Sequence, residues 1–174
     1  MPELPEVETT RRGIEPHVAG RTLTAVTVRE PRLRWPVDAR VSELGERRIL
    51  GLRRRAKYLL MDLGDLHLGI HLGMSGTLRV VDATLPLRKH DHVDLLLDSG
   101  KVLRFNDPRR FGTVLFQAGE EPHSLLQSLG PEPLSEAFNG EGMFARSRGR
   151  KVAVKSFIMD NATVVGVCNI YPQE

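Results

Sequence analysis

The chain has 174 residues, of which 40% are hydrophobic, and it has a formal net charge of +3 and a sequence pI near 9.3. This composition allows a packed core in one domain, or in one domain and part of another, and it excludes a wholly disordered chain. The basic balance permits a nucleic-acid partner, although an ordinary basic protein would have the same balance.

The first 28 residues predict a helix followed by a strand. Pro5 suits the first turn of a helix, where a missing N–H costs nothing, and Gly20 suits its end. Residues 22–28 (TLTAVTV) alternate and are rich in β-branched side chains, which is typical of a strand.

Short strand-like runs separated by polar turns fill residues 47–117. We predict strands at 48–53, 57–63, 66–72, 77–81, 93–97, 102–105 and 113–116. Many short strands joined by polar turns favour an antiparallel sandwich or barrel.

The pattern changes to short helical segments after Pro122. We predict helices near residues 124–129 and 152–159, and between them a helical stretch that opens at residues 135–138 and is weakened by Gly140, Gly142 and Gly149. An apolar stretch over 164–171 follows, at which the chain stops. This organisation predicts a first domain over residues 1–120 and a partial, truncated helical domain over residues 121–174.

The N-terminus offers a nucleophile if Met1 is removed, because Pro2 then has a free secondary amine. The positive end of the following helix would disfavour the ammonium form of this amine, and only the neutral amine attacks. Attack on a sugar C1′ gives an iminium ion that acidifies the C2′ hydrogens and so favours strand cleavage by elimination. Glu3 could then move protons on the sugar. Taken alone, the same residues would fit an ordinary N-terminus.

Three further segments carry residues suited to DNA chemistry. Lys57 could neutralise a phosphate or donate a proton. Met74, which follows Gly73 and precedes Gly76 by two positions, is a candidate apolar wedge between bases, and Arg109 beside Phe111 suits an enzyme that extrudes a nucleotide and must fill the gap. Each segment by itself would also fit a charged strand end or an ordinary turn.

His90 and His92 share strand parity and could contact phosphates. A metal pair is conceivable there, but no third or fourth ligand lies at a suitable spacing. The single cysteine, Cys168, excludes both an internal disulfide framework and a four-cysteine zinc site within this chain.

Taken in this order, the segments resemble the formamidopyrimidine-DNA glycosylase family across essentially the whole chain. The matching segments are residues 2–9 (PELPEVET), 54–58 (RRAKY), 71–76 (HLGMSG), 89–94 (KHDHVD), 107–112 (DPRRFG), 129–134 (LGPEPL) and 159–161 (MDN). The run over residues 4–8 favours this branch over the endonuclease-VIII type.

The resemblance implies an α+β fold, in which an antiparallel β-sandwich with an N-terminal helix is followed by the start of a helical (helix–two-turn–helix) domain. It implies a bifunctional DNA N-glycosylase and AP lyase that excises 8-oxoguanine and formamidopyrimidines. The partner would be duplex DNA with oxidised bases or abasic sites. No apolar run approaches the roughly 20 residues that span a bilayer, so we expect a cytoplasmic, nucleoid-associated bacterial protein, a monomer with no membrane partner.

The resemblance also implies residue roles. Pro2 would form a Schiff base, Glu3 would protonate the sugar ring, Glu6 would support that site, and Lys57 would be a proton donor and a phosphate ligand. The DNA-binding residues would be His71, Met74, His90, Arg109, Phe111, Arg150 and Asn169. Among these, Met74, Arg109 and Phe111 would enter the base stack.

The chain departs from the family at its end. The family's four-cysteine zinc finger would follow Glu174, so no cofactor or metal site is expected within this chain. Cys168 and Pro172 stand where the family usually has small residues, and Pro172 could end a helix early. Two alternatives stay open: a truncated, non-catalytic remnant that binds DNA weakly, and an unrelated enzyme, such as a tautomerase, that uses its N-terminal proline as a base. Tautomerase chains are usually much shorter and have no use for the loop of Arg109.

Overall fold

The computed structural model describes residues 2–169 and 172, and its backbone divides into two compact units, Met1–Glu121 and Pro122–Glu174. The first unit begins with helix α1 (Leu4–Val18), which has Pro5 in its first turn. A capping box closes the start of this helix, because the Glu3 backbone N–H donates to the Glu6 carboxylate at 3.0 Å. The helix ends two residues before Gly20, which makes the following turn with φ near +77°.

Nine strands among the described residues form two antiparallel sheets. They are β1 (Thr22–Val28), β2 (Arg47–Arg48), β3 (Gly51–Arg55), β4 (Tyr58–Asp62), β5 (Leu66–His71), β6 (Thr77–Asp82), β7 (Asp91–Leu97), β8 (Lys101–Asn106) and β9 (Thr113–Ala118). One sheet has the order β2-β1-β7-β8-β6 and the other β3-β4-β5-β9. A short 3-10 helix, Ala39–Glu43, lies between β1 and β2.

One hydrophobic core joins the two sheets and α1. It includes fully buried side chains from every layer, among them Val18, Leu23, Leu59, Met61, Leu68, Leu95 and Phe105. Burying each such side chain contributes about 1.5–3 kcal/mol to stability. The predicted β-sandwich with an N-terminal helix is therefore confirmed.

The single strand predicted over residues 48–53 is wrong, because the chain changes sheets in its middle. The Ile49 N–H donates to the Arg21 carbonyl at 2.8 Å, beside the first sheet. The next N–H, of Leu50, donates to the Asp62 carbonyl at 2.9 Å, in the second sheet. An uninterrupted apolar pattern thus covers two short strands that belong to different layers.

The second unit contains three short helices among the described residues: α2 (Ser124–Gln127), α3 (Gly140–Ser147) and α4 (Val154–Met159). The predicted start of the second helical stretch, at residues 135–138, is wrong, since these residues form turns. Helix α3 starts instead after Asn139, whose side chain accepts the Gly142 N–H at 2.8 Å and caps the helix.

In the apolar stretch predicted over residues 164–171, residues 164–169 are irregular, and residues 170 and 171 lie outside the described residues. This segment is tied to the start of the unit, since the Val165 N–H donates to the Pro131 carbonyl at 3.1 Å. The Arg146 guanidinium also donates to the Ala162 and Thr163 carbonyls at 2.8 Å each. None of the described helices is both long and apolar enough to span a lipid bilayer.

Candidate active site

The first turn of α1 and the β3–β4 turn bring Glu3 and Lys57 together. The Lys57 ammonium donates to Glu3 Oε2 at 2.5 Å, and only 20% and 12% of the two side chains are exposed. The turn is tight, with Ala56 at a φ of 51°, and it presents Lys57 toward the helix. Pro2, partly exposed, directly precedes this carboxylate. The backbone nitrogen of Pro2, an acid and a cation therefore meet at one corner of the sandwich.

His71 ends β5 and is held in one orientation. Its Nδ1 accepts the Gly73 N–H at 2.9 Å, and its ring meets the Tyr58 ring edge-on with centroids 4.8 Å apart. Burial, reinforced by the charges of Lys57 and Arg34, lowers the pKa of His71 from 6.5 to about 4. The ring is therefore neutral at pH 7, and since Nδ1 accepts, its proton lies on Nε2 as a donor.

A cavity of about 750 Å³ opens between the loop of residues 72–76, the first loop, and the loop of residues 107–112, the second loop. Its walls are formed by Arg32, Arg34, His71, Gly73, Met74, Arg109, Arg110 and Phe111. Met74 and Phe111 are 42% and 44% exposed, so each presents part of its apolar surface to the cavity and solvent. The Arg109 guanidinium lies 3.6 Å from the Met74 sulfur. Two apolar side chains and a cation thus stand together at the surface.

Asp107, which is fully buried, joins the two loops. Its carboxylate accepts the Ser75 hydroxyl at 2.6 Å and the Gly112 N–H at 2.8 Å. The Ser75 oxygen in turn accepts the Arg109 N–H at 3.1 Å. The His92 Nε2 lies 2.7 Å from the Asp107 carbonyl oxygen. This network fixes the backbone on both sides of the exposed Met, Arg and Phe side chains.

Gly73 lets the two loops approach each other. Its φ is +63°, and a Cβ atom there would lie 2.5 Å from both the Gly112 nitrogen and the Phe111 carbonyl carbon. No side chain fits at that distance, so the contact between the loops depends on glycine.

Three predicted DNA-binding residues are not among those that line this cavity. His90 precedes β7 with a φ of 72°, and its ring centroid is 5.9 Å from that of His92. Arg150 and Asn169 are exposed and belong to the second unit. Within residues 2–169 and 172, no group of three or more His, Cys, Asp or Glu side chains is arranged to bind a metal ion.

Sequence reasoning missed Arg32, Arg34 and Arg110 as parts of the same surface. Residues 32–36 read RLRWP, two arginines beside a tryptophan before a proline. This is the same pairing of arginine with an aromatic residue that singled out the second loop, and it was the available signal.

Two family models match the chain: the formamidopyrimidine-DNA glycosylase N-terminal domain over residues 1–114 and the formamidopyrimidine-DNA glycosylase H2TH domain over residues 129–174. The formamidopyrimidine-DNA glycosylase of Alcanivorax borkumensis is 77% identical over 174 residues, which are 100% of this chain and 65% of that protein. That of Stenotrophomonas maltophilia is 59% identical over 175 residues, with the same coverage of both chains. The chain thus spans about 65% of the length of these curated relatives.

Solved structures agree with these matches. The Lactococcus lactis formamidopyrimidine-DNA glycosylase bound non-covalently to DNA with an AP site is 32% identical, with a TM-score of 0.87 over 98% of this chain and 66% of that chain. A complex of an inhibited form of the same protein with DNA containing N7-benzyl-Fapy-dG gives 33% identity and a TM-score of 0.89 over 99% and 66%. The MutM (Fpg) protein of Thermus thermophilus gives 40% and 0.84 over 99% and 62%.

Proposed function

Because the chain belongs to the formamidopyrimidine-DNA glycosylase family, we propose that it is a DNA repair glycosylase and AP lyase that removes oxidised purines from duplex DNA. The observation that carries the proposal is the contact between Glu3 and Lys57, 2.5 Å apart and adjacent to Pro2. A nucleophilic amine, a carboxylate that can pass a proton from one atom to another, and a cation are the groups that this chemistry requires.

Pro2, once Met1 is removed, attacks C1′ of the damaged nucleoside through its neutral secondary amine. The bond from C1′ to the base breaks, and the base leaves with the bonding electrons and takes up a proton. Glu3 takes the proton that the Pro2 nitrogen loses after the attack and passes it to the ring oxygen O4′, so that the sugar opens and Pro2 and C1′ form an iminium ion. Loss of a C2′ proton then expels the 3′ phosphate, and water finally releases the sugar from the amine.

Lys57 has two roles in this scheme. Its hydrogen bond keeps the Glu3 carboxyl group oriented at the N-terminus, and its ammonium group places positive charge where a backbone phosphate must approach. In this proposal the reaction uses no cofactor bound to this chain, because Pro2 is the nucleophile and the side chains carry the protons.

The residues that line the cavity help to extrude the damaged nucleotide from the duplex. An enzyme that acts on a base within a duplex must extrude the nucleotide and fill the gap. Met74 and Phe111 present the apolar wedge, and Arg109 stands beside them to meet unpaired base edges or phosphates. The neutral His71 offers its Nε2–H to a phosphate oxygen.

The partner that we propose is duplex DNA with oxidised bases or abasic sites, bound by a monomer at the bacterial nucleoid. The Lactococcus lactis relative is described in complexes with abasic-site DNA and with N7-benzyl-Fapy-dG DNA. His90, Arg150 and Asn169 remain predicted DNA contacts in this proposal.

Borohydride trapping tests the reaction directly. The chain, with Met1 removal verified by intact mass, is incubated with duplexes containing 8-oxoguanine or an abasic site and then reduced. We expect a covalent adduct whose DNA is attached to Pro2, and no adduct from a sample that retains Met1, in which the Pro2 nitrogen is an amide. Absence of an adduct with the processed chain, together with weak and lesion-independent DNA binding, would instead support a non-catalytic remnant.

A further inference from the structure

The wall of the cavity opposite the first loop comes from the segment between β1 and the 3-10 helix. This segment contributes Arg32 and Arg34 to the lining. The Arg34 N–H donates to the Gly112 carbonyl at 3.2 Å, which ties the segment to the second loop. The position of Arg34 relative to the predicted insertion residues is therefore fixed by the backbone.

The arginines of this cavity differ in how far their charge is already compensated. The Arg32 guanidinium forms a fork with the Glu30 carboxylate, with two contacts of 2.8 Å. The same carboxylate lies 3.5 Å from the Arg110 guanidinium. Arg34, by contrast, forms no ion pair with a carboxylate of residues 2–169. It is exposed, so its five N–H donors face the cavity and solvent.

The Arg34 charge also reaches two ring side chains, of which His71 lines the same cavity. It acts on the rings of both Tyr58 and His71, and it contributes to keeping His71 neutral. An uncompensated guanidinium and a ring N–H donor thus face one space, which is a donor set suited to an anion with several acceptor oxygens.

We propose that Arg34 is a further DNA-binding residue, which binds a backbone phosphodiester in the same cavity as His71. A phosphodiester carries one negative charge and two free oxygens, so it can accept from the guanidinium fork and from a second donor at once. The inference rests on the proposed function only in taking DNA as the ligand. It adds a contact from a segment that none of the matching motifs includes.

The test measures salt-dependent DNA binding by the full chain and its variants. The probe is a labelled duplex with a tetrahydrofuran abasic analogue, which binds but cannot form an iminium ion. Replacing Arg34 by alanine should weaken binding several-fold. It should also reduce the steepness of the plot of log affinity against log salt concentration by about 1, the amount expected for the loss of one phosphate contact. Arg34→Lys should restore most of the slope but not all of the affinity, since an ammonium group keeps the charge and loses the fork.

Arg32→Ala is the matched control, because Arg32 lines the same cavity but is engaged by Glu30. Its slope should stay close to that of the unmodified chain. Equal losses for the two alanine variants, or an Arg34→Ala variant that binds with unchanged affinity and slope, would overturn the inference. Thermal unfolding of each variant checks that the fold is kept.

The outcomes separate this inference from the proposed function. If the unmodified chain forms the borohydride adduct and binds the duplex, but Arg34→Ala does so equally well, only the role of Arg34 fails. If the unmodified chain neither binds nor forms an adduct, the proposed function fails, and the DNA ligand of Arg34 fails with it.

Discussion

Glu3 Oε2 and Lys57 Nζ lie 2.5 Å apart although 54 positions separate the two residues along the chain. The contact joins the N-terminus of α1 to the β3–β4 turn, so two elements that are distant in sequence hold the carboxyl group next to Pro2. The carboxyl group is therefore aimed by tertiary structure and not by the flexibility of a chain end.

Changing Glu3 to glutamine separates the two halves of the proposed reaction. An intact nucleoside needs O4′ protonated before its sugar can open, whereas an abasic sugar is already in equilibrium with its open aldehyde. We expect excision of 8-oxoguanine to fall about 100-fold or more, with borohydride trapping on abasic DNA largely kept. Glu15→Gln, on the same helix, is the control, because glutamine can still accept the Arg11 N–H. Equal losses on both substrates would contradict this role of Glu3.

Asp107 should prove necessary for the geometry of both loops. Asp107→Asn replaces a carboxylate acceptor with a group that has one acceptor and two donors, so the Ser75 hydroxyl and the Gly112 N–H can no longer both be satisfied as before. We expect a loss of about 1–3 kcal/mol in the free energy of unfolding, measured by urea denaturation.

The milder variant Ser75→Ala removes the link to the Arg109 N–H while leaving the carboxylate in place. We expect Ser75→Ala to reduce the free energy of binding to lesion-containing DNA by more than it reduces the free energy of unfolding. Unchanged binding in a folded Ser75→Ala protein would show that the network does not position the inserted side chains.

Sequence patterns predicted the elements whose signals are local. Strand β1 has the bounds that its alternation predicts, and Pro5 lies in the first turn of α1 as expected. The break between Ile49 and Leu50 could not be predicted, because both residues are apolar and the choice of sheet depends on distant partners. For α3, the cap from Asn139 outweighs the glycines, which propensity alone does not reveal.

In the candidate site, too, the residue types could be predicted from local motifs, whereas their contacts depend on residues distant in the sequence. The motifs identified Glu3 and Lys57 as chemically suited, but their pairing follows from the packing of α1 against the β3–β4 hairpin. No motif or regular spacing in the sequence links Arg34 to the other residues of the site. Only the backbone hydrogen bond from Arg34 to Gly112 places it in the cavity. The predicted roles of His90, Arg150 and Asn169 stay predictions.

Met74 and Phe111 should matter more for binding than for folding. Since 42% and 44% of these side chains are exposed, truncation to alanine should lower the free energy of unfolding by no more than about 1–2 kcal/mol, about half of the value for a fully buried side chain. Affinity for a duplex with an abasic analogue should fall, because the wedge that replaces the extruded nucleotide is lost. Phe105→Ala, in the buried core, is the contrasting control and should cost about 3–5 kcal/mol. A large loss of stability for Met74→Ala would contradict the assignment.

Gly73 and Gly64 offer a matched pair for the contact between the loops. Both have a positive φ, but a Cβ at Gly73 would lie 2.5 Å from backbone atoms of the second loop, whereas a Cβ at Gly64 would meet nothing within 4 Å. Gly64→Ala should cost only the backbone strain of about 1–2 kcal/mol. Gly73→Ala should cost at least about 3 kcal/mol in urea denaturation, because the loops must also move apart. Equal losses in the free energy of unfolding for the two variants would show that the loops can move apart at no energetic cost.

His71 gives the chain a defined pH dependence of stability. Its pKa is lowered from 6.5 to about 4 in the folded protein, chiefly by burial, so the unfolded chain binds more protons between these two pH values. Stability must therefore fall as the pH falls through this window. The contribution of His71 to the change from pH 7 to pH 5 is about 2 kcal/mol.

His71→Asn is the variant that isolates this contribution, because the asparagine oxygen can still accept the Gly73 N–H while the side chain no longer titrates. Urea denaturation of both proteins at pH 7 and pH 5 should show a smaller loss for the variant. The pKa of the Glu8 carboxylate is lowered from 4.5 to about 2, mainly by its hydrogen bond from Arg11, so the stability that it contributes is lost chiefly below pH 4.5 and changes little between pH 7 and pH 5. Parallel losses in the two proteins would show that His71 is not kept neutral by the fold, and its assignment as an Nε2–H donor to phosphate would then fail.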